Sequence, residues 1–243
     1  MKAVMKRELK SYFTTSLGYS IYAILTFLGG ILYIFTFLIG RGTLANTVFL
    51  FMLGIILLIT PILTMRLFSE ERRQKTDQLL FTSSVKLSSI VLGKFFAAVI
   101  FFVTFFVLMI VYQVVLSFFA KTDWIIFFSS LLGMFLYTVA LITIGMFISS
   151  LTESQIVSAL VSFLISFFFI ILWIAQSLVE DVLTVFFPTM GWLSTSIGWI
   201  SFSARNQAFL QGIFNYSDVI YFISITGLFL FLTVRVLDKK RWA

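Results

Sequence analysis

The chain has 243 residues, of which 60% are hydrophobic and 11% are charged, and its formal net charge is +7. Soluble domains carry roughly 25% charged residues, so this composition indicates a protein whose main solvent is lipid. The sequence contains no cysteine and no histidine, which excludes disulfide frameworks, thiolate chemistry and any site that depends on imidazole. The basic residues flank apolar runs, so we expect no nucleic-acid partner.

Six apolar runs are long enough to cross the hydrocarbon core as helices, which takes about 20 residues. No stretch between them is long enough to bury a soluble core. The sequence therefore predicts an all-α membrane protein with a single transmembrane domain over residues 1–243. In chain order the predicted spans are Tyr19–Ile39, Val48–Met65, Phe95–Ala120, Trp124–Ile148, Ile156–Ala175 and Val219–Val236.

Lysine and arginine are distributed unevenly between the polar segments. All but three of the 17 lie in the amino-terminal stretch, in segment 66–94 or in the carboxyl-terminal tail, and the others are Arg41, Lys121 and Arg205. Basic residues near spans stay preferentially in the cytoplasm. We therefore expect both termini and segment 66–94 on the cytoplasmic side of a multi-pass membrane protein. The first apolar run is span-length and lacks a cleavage site, so we expect no removed signal peptide.

Two segments outside the spans also have informative patterns. Residues 2–16 predict an amphipathic interfacial helix, with Val4, Met5 and Leu9 toward lipid and its lysines toward anionic head groups. Segment 176–218 places tryptophan and glycine among apolar residues, which favours short interfacial or re-entrant helices over a soluble domain.

Catalysis by this chain is disfavoured. The spans as drawn have no acid or base at their centres, where ionisable residues usually mark proton relays or proteolytic sites. A phosphate-binding loop is also missing from the sequence, because Ser88 stands where the leading glycine before Gly93-Lys94 is needed. If the protein uses ATP, another subunit must supply the site.

The segment Ser69–Lys94 is the substantial polar feature that remains. Acids open it, arginines follow within a turn, and leucines add apolar surface, which suits a short helix. An ordinary juxtamembrane helix can have this pattern too. The segment nevertheless resembles the coupling loop of ABC transporter type-2 permeases, E-E-[KR]-[KR]-x-G-T-x-E-L-L-x-[ST]-x-P-[VI] followed by [IV]-x-G-K-[FY]. The matching residues are Glu70, Glu71, Arg72, Arg73, Thr76, Leu79, Leu80, Thr82, Val85, Val91, Gly93, Lys94 and Phe95.

The match has three departures, since Lys75, Gln78 and Ser84 replace the usual Gly, Glu and Pro. Losing a glycine and a proline favours a more continuous helix. The order of the six spans, the link 150–155 and the basic tail most resemble the permeases grouped with gliding-motility transport systems.

The resemblance implies the permease subunit of an ATP-driven exporter, a multi-pass protein of the bacterial cytoplasmic (inner) membrane. Two copies, or one copy and a paralogue, would pair to form the pathway, and each would rest its cytoplasmic coupling helix on a separate nucleotide-binding ATPase subunit. ATP and Mg²⁺ would bind that subunit, so we expect no catalytic residue, cofactor or metal ligand in this chain. Membrane lipids and an accessory membrane protein are further expected partners. A stand-alone channel or secondary carrier is the alternative, and an intramembrane enzyme a more remote one.

Two sets of residues are candidates for function under this resemblance. The ladder Ser154, Ser158, Ser162 and Ser166 shares one face of the fifth span, and small hydroxyl residues at this spacing permit close helix approach. The resemblance implies that this face lies at the dimer seam or pathway; packing within the chain is the alternative. Glu153 is expected to make a secondary contact with the ATPase, or else to be a solvated loop acid. The residues expected to couple to the ATPase are Glu70, Glu71, Arg72, Arg73, Thr76, Asp77, Leu79, Leu80 and Glu153.

Overall fold

The computed structural model describes residues 1–38, 45–73, 86–119, 121–179, 196, 198–199 and 201–242. Throughout this part of the chain the regular secondary structure is helical. The helices are α1 (Lys2–Thr14), α2 (Ser16–Leu38), α3 (Ala45–Thr64), α4 (Arg66–Arg73), α5 (Leu87–Ser117), α6 (Trp124–Leu151), α7 (Gln155–Leu178), α8 (Phe202–Leu210) and α9 (Tyr216–Trp242).

Six stretches of these helices are long and apolar enough to cross a membrane, which confirms the predicted six-span, all-α class. They are carried by α2, by α3 together with α4, and by α5, α6, α7 and α9. Most of the helices extend beyond the predicted spans at one end or both, because polar residues at the membrane surface continue the same backbone hydrogen bonding, whereas α5 ends at Ser117, before the predicted end at Ala120. Helix ends are set by turns and caps, whereas hydropathy reports only the apolar length.

The largest difference in boundary is at the start of α5. The predicted span begins at Phe95, whereas the helix begins at Leu87, after Lys86 in an extended conformation. Leu87, Ile90 and Val91 are buried, and their spacing places them on one face of a helix. This face extends α5 by two turns into what the sequence suggested was polar loop, and α5 packs there against α1.

Helix α6 lies at the centre of the bundle and packs against α3, α4, α5, α7, α8 and α9. Two of its glycines allow neighbours to approach closely. A Cβ on Gly145 would lie 2.2 Å from Thr64 Oγ1 on α3, and one on Gly133 would lie 2.4 Å from Asn206 Oδ1 on α8. Around these close approaches the core is filled by buried phenylalanine, leucine, isoleucine and methionine.

Helix α8 lies in the segment for which the sequence predicts short helices. Ser201 caps its first turn by accepting a hydrogen bond from the Ala204 amide at 3.3 Å. After the helix, Gly212 has a φ of +80°, a conformation that favours glycine. Phe202, Asn206 and Phe209 are buried, so α8 is part of the packed bundle.

Contacts between distant segments place both chain termini at one end of the bundle. Lys94 near the start of α5 reaches Glu8 on α1, and Lys240 near the end of α9 reaches the Ser150 carbonyl near the end of α6. Helix α4 also contacts the end of α6. We call this end, where α1, α4 and the chain termini meet, the charged end.

Candidate coupling site at the charged end

Helix α4 follows α3 after a one-residue break and is held there by a serine from another helix. One non-helical residue, Met65, separates α3 from α4. Ser149 Oγ on α6 accepts hydrogen bonds from the Phe68 and Ser69 amides at 3.1 and 3.2 Å and donates one to the Met65 carbonyl at 3.1 Å. The first amides of a helix have no partner within it. Ser149 therefore caps α4 from outside and joins it to the central helix.

A buried lysine is the second attachment of α4. Lys94 Nζ lies 2.9 Å from a Glu71 carboxylate oxygen, 3.4 Å from Glu8 Oε1 and 2.6 Å from the Leu67 carbonyl oxygen. An ammonium has three donors, so all three can be used. The lysine side chain is only 2% exposed, whereas each carboxylate is 17% exposed.

Arg7 completes this group of four charges. Its guanidinium lies 2.9 Å from Glu8 and 3.1 Å from Glu71. The hydrogen bond to Glu8 raises the pKa of Arg7 above its ordinary value, so the side chain stays charged. Two cations and two anions balance, which offsets the cost of removing Lys94 from water. We call Arg7, Glu8, Glu71 and Lys94 the charge cluster; it joins α1, α4 and α5.

The glycine before the lysine explains how α1 comes so close. A Cβ on Gly93 would lie 3.1 Å from Val4 Cβ and 3.2 Å from the Met1 carbonyl oxygen. Glycine at this position lets the amino-terminal helix pack directly on α5. Val4 therefore packs on α5, although the sequence predicts it toward lipid, and the part of its surface that α5 covers is not available to the bilayer.

The carboxyl end of α6 receives two further cations. The last carbonyls of a helix have no intrahelical partner and carry partial negative charge. Lys240 Nζ donates to the Ser150 carbonyl at 2.8 Å, and Arg72 Nη1 donates a longer hydrogen bond, 3.4 Å, to the Leu151 carbonyl. Helix α4, the end of α6 and the end of α9 are thus joined electrostatically. Glu153 follows directly and is exposed.

The structure brings five of the expected coupling residues to the charged end. Glu70 to Arg73 form the second half of α4, and Glu153 lies just beyond α6. Thr76, Asp77, Leu79 and Leu80 lie outside the described residues, so their expected role stays a prediction. The charge cluster adds partners that sequence reasoning missed, namely Arg7 and Glu8. The Gly-Lys pair of the family pattern was the available signal for Lys94.

The serine ladder has a different environment from the coupling residues. Ser158, Ser162 and Ser166 are buried inside the single chain, whereas Ser154 is exposed before α7 begins. Helix α7 packs against α3, α4, α6 and α8, so packing within the chain, the alternative interpretation, accounts for their burial. A position at the dimer seam or pathway stays a prediction.

At the opposite end a second ion pair closes the bundle. Arg205 Nη1 on α8 lies 2.7 Å from Asp218 Oδ1 at the start of α9, and the aspartate side chain is 4% exposed. The guanidinium carbon is also 5.1 Å from the ring centroids of Trp199 and Tyr221. The sequence alone identifies Arg205 only as one of the three basic residues outside the segments that are expected to be cytoplasmic.

Comparison with family models decides the class of this helical body. Residues 40–237 match the model described as ABC-2 family transporter protein, which is most of the chain. The chain belongs to this family. A comparison with curated proteins finds no significant match. As an ABC-2 family member, the chain is a multi-pass permease component of an ABC transporter.

Family membership indicates what kind of partner subunit this permease works with. ABC-2 permeases are typically membrane subunits without catalytic activity, and they imply an ATP-binding subunit as partner. Within the chain, α4 is joined through the charge cluster to α1 and α5, and through Ser149 to α6. The narrower resemblance to gliding-motility permeases stays a prediction.

Proposed function

We propose that this chain is the membrane-spanning permease subunit of an ATP-driven exporter in the bacterial cytoplasmic membrane. Two permease chains form the pathway, and the charged end faces the cytoplasm, where the segment beginning with α4 docks on a nucleotide-binding subunit. That subunit binds ATP and Mg²⁺ and hydrolyses the nucleotide.

One observation carries the proposal: α4 is attached at separate points to three other helices. Lys94 and Arg7 tie it to α5 and α1, and Ser149 ties its first turn to α6. A short helix held this way acts as a rigid lever, because moving it without moving its neighbours requires breaking buried ion pairs and hydrogen bonds. A permease without its own nucleotide site needs such a mechanical input.

The decisive experiment asks whether an ATPase subunit copurifies with the tagged permease from its native host. Replacing Leu79 and Leu80 together with Asp should leave membrane insertion intact and abolish association, since a buried leucine contributes about 2–5 kcal/mol. The matched control is the same double change at Ile213 and Phe214, two exposed apolar residues at the opposite end. Full association and transport in the first variant would exclude this segment as the coupling helix.

A variant with a smaller expected effect can be chosen by the exposure of the charged residues on α4. Glu71 is bound within the charge cluster, so its removal would disturb folding as well as docking. Arg73 is exposed at the end of α4, and Arg73→Ala should weaken association slightly and in a salt-dependent way, because exposed pairs contribute little. A channel or secondary carrier would show neither ATPase copurification nor ATP-dependent transport in reconstituted vesicles.

Orientation can be tested directly because the chain has no cysteine. Ser217 and Ser154 are both exposed and lie at opposite ends of the bundle. In sealed cells an impermeant thiol reagent should label Ser217→Cys, and it should label Ser154→Cys only after permeabilisation. The reverse pattern would place the charged end outside. Ser69 is unsuitable as a reporter, because it is fully buried.

The proposed pairing of two permeases is best tested on the outward face of α7. Leu160 and Leu164 are exposed there, at 57% and 69%, whereas the serine face points into the chain. If α7 adjoins the seam, Leu164→Cys should crosslink two copies more readily than Phe27→Cys, an equally exposed residue on α2. Preferential crosslinking through α2 would move the interface away from α7.

A further inference from the structure

A small cavity lies beside the charge cluster, where α1, the start of α2, the end of α3 and α4 meet. Its volume is about 90 Å³. Water occupies about 30 Å³ per molecule in the liquid, so the cavity accommodates a compact polar group and not a lipid chain. Its polar lining comprises Arg66, the hydroxyl-bearing Ser11, Tyr12 and Thr15, and the carboxylates Glu8 and Glu70.

Arg66 is the unusual member of this lining. Its Nε atom is buried and has no hydrogen-bond partner among the described residues. Three other described cations around α4 are engaged, since Arg7 and Lys94 bind carboxylates and Arg72 binds a carbonyl, whereas Arg73 is exposed at the end of the helix. A buried donor without an acceptor is unfavourable. The buried Nε–H of Arg66 beside this cavity is available to an acceptor group supplied from outside the chain.

We propose that this cavity binds the phosphate of a phosphodiester, supplied by a phospholipid headgroup at the membrane surface. The planar guanidinium of Arg66 presents paired donors that match two phosphate oxygens. Ser11 places a hydroxyl on the same wall, whereas the Thr15 hydroxyl beside it donates to the Ser11 carbonyl at 2.8 Å. Burial raises the pKa of Tyr12, so its phenol also remains a donor.

Charge and position both favour a phospholipid over free phosphate. The wall also carries the carboxylates Glu8 and Glu70. Glu8 is balanced within the charge cluster, but the negative charge of Glu70 disfavours binding of a doubly charged phosphate. A phosphodiester has a single negative charge. The cavity lies where the apolar part of α2 begins and α3 passes into the charged helix α4, which is the depth expected of lipid headgroups, and Arg66 supplies the cationic contact that these groups favour.

The test uses the full chain, purified in a neutral detergent, and the thermal unfolding midpoint as readout of binding. The probes are dihexanoyl phosphatidylglycerol, dihexanoylglycerol without phosphate, and inorganic phosphate. Arg66→Gln should weaken phosphatidylglycerol binding about tenfold to a hundredfold, as expected for loss of a charge-assisted contact. The control Arg73→Gln removes the same charge from the exposed end of α4 and should bind like the wild type.

The three probes distinguish a phospholipid headgroup from inorganic phosphate as the ligand. Phosphatidylglycerol binding with no response to inorganic phosphate identifies a lipid site, whereas equal stabilisation by inorganic phosphate supports the site with a soluble ligand. Equal binding of dihexanoylglycerol, or unchanged phosphatidylglycerol binding in Arg66→Gln, overturns the proposal.

A measurement on the unsubstituted chain covers the case in which Arg66→Gln does not fold. Phenylglyoxal modifies arginines, and mass spectrometry locates the modified residues. Phosphatidylglycerol should slow modification of Arg66 at least tenfold while leaving Arg73 unchanged; equal rates at Arg66 with and without the lipid would refute the site. The inference requires no ATPase, so its failure is independent of the coupling proposal.

Discussion

Removing the buried lysine of the charge cluster is the most direct test of how α1, α4 and α5 are held together. Lys94→Met keeps the length and apolar stem of the side chain but removes the ammonium, which makes contacts of 2.9 Å to Glu71, 3.4 Å to Glu8 and 2.6 Å to the Leu67 carbonyl. Breaking a buried ion pair by removing one partner costs about 3–5 kcal/mol.

The destabilisation caused by Lys94→Met should fall at the lower end of that range. Arg7 remains 2.9 Å from Glu8 and 3.1 Å from Glu71, and both carboxylates retain 17% exposure, so neither is left fully buried and unpaired. We therefore expect Lys94→Met to lower the free energy of unfolding by about 3 kcal/mol. The measurement is denaturant unfolding in mixed micelles, followed by tryptophan fluorescence.

The control is another lysine at the start of the same helix. Lys86 is exposed, and Lys86→Met should change the free energy of unfolding by no more than about 0.5 kcal/mol. A double-mutant cycle with Glu71→Gln should give a coupling energy of about 1–2 kcal/mol for Lys94 and Glu71. Equal stabilities of the two methionine variants, or a coupling energy near zero, would refute the assignment of the cluster as a structural joint.

Two further substitutions test the contacts of the central helix. Ser149→Ala should destabilise the protein by about 2–3 kcal/mol, because it leaves two buried amides of α4 without an acceptor, whereas Ser150→Ala should be nearly neutral since that hydroxyl bonds within its own helix; equal effects would argue against external capping of α4. Gly145→Ala should cost about 1–3 kcal/mol through overpacking against α3, as judged by the same unfolding assay. Gly54→Ala, where an added Cβ meets no atom within 4 Å, should not lower the free energy of unfolding in this way. A Gly145→Ala variant as stable as the wild type would contradict the close helix approach.

The number of spans and their approximate positions follow from the sequence because they depend on a local quantity. Crossing the bilayer requires a continuous apolar length, and this can be read within one window of the chain. The six predicted runs all correspond to candidate spans in the structure. The family was also readable, because Glu70 to Arg73 and the later Gly93-Lys94 keep their residue types at fixed spacing.

Helix ends were harder to predict from the sequence, because they depend on contacts with distant segments and not on a local quantity. The start of α5 is stabilised by packing of Leu87, Ile90 and Val91 inside the bundle, and hydropathy averaged over a span cannot report that neighbour. The sequence therefore assigned Lys94 to a polar loop, although it lies two turns inside a helix and is almost fully buried.

The tertiary structure alone decided which charges meet. Glu8 and Lys94 are 86 positions apart in the chain, and Glu71 comes from a third helix, so no local pattern pairs them. The same holds for the serine ladder: its spacing puts Ser158, Ser162 and Ser166 on one face, but only packing turns that face inward. Sequence determines how much of a helix is apolar, whereas the direction each face takes depends on which distant helices cover it.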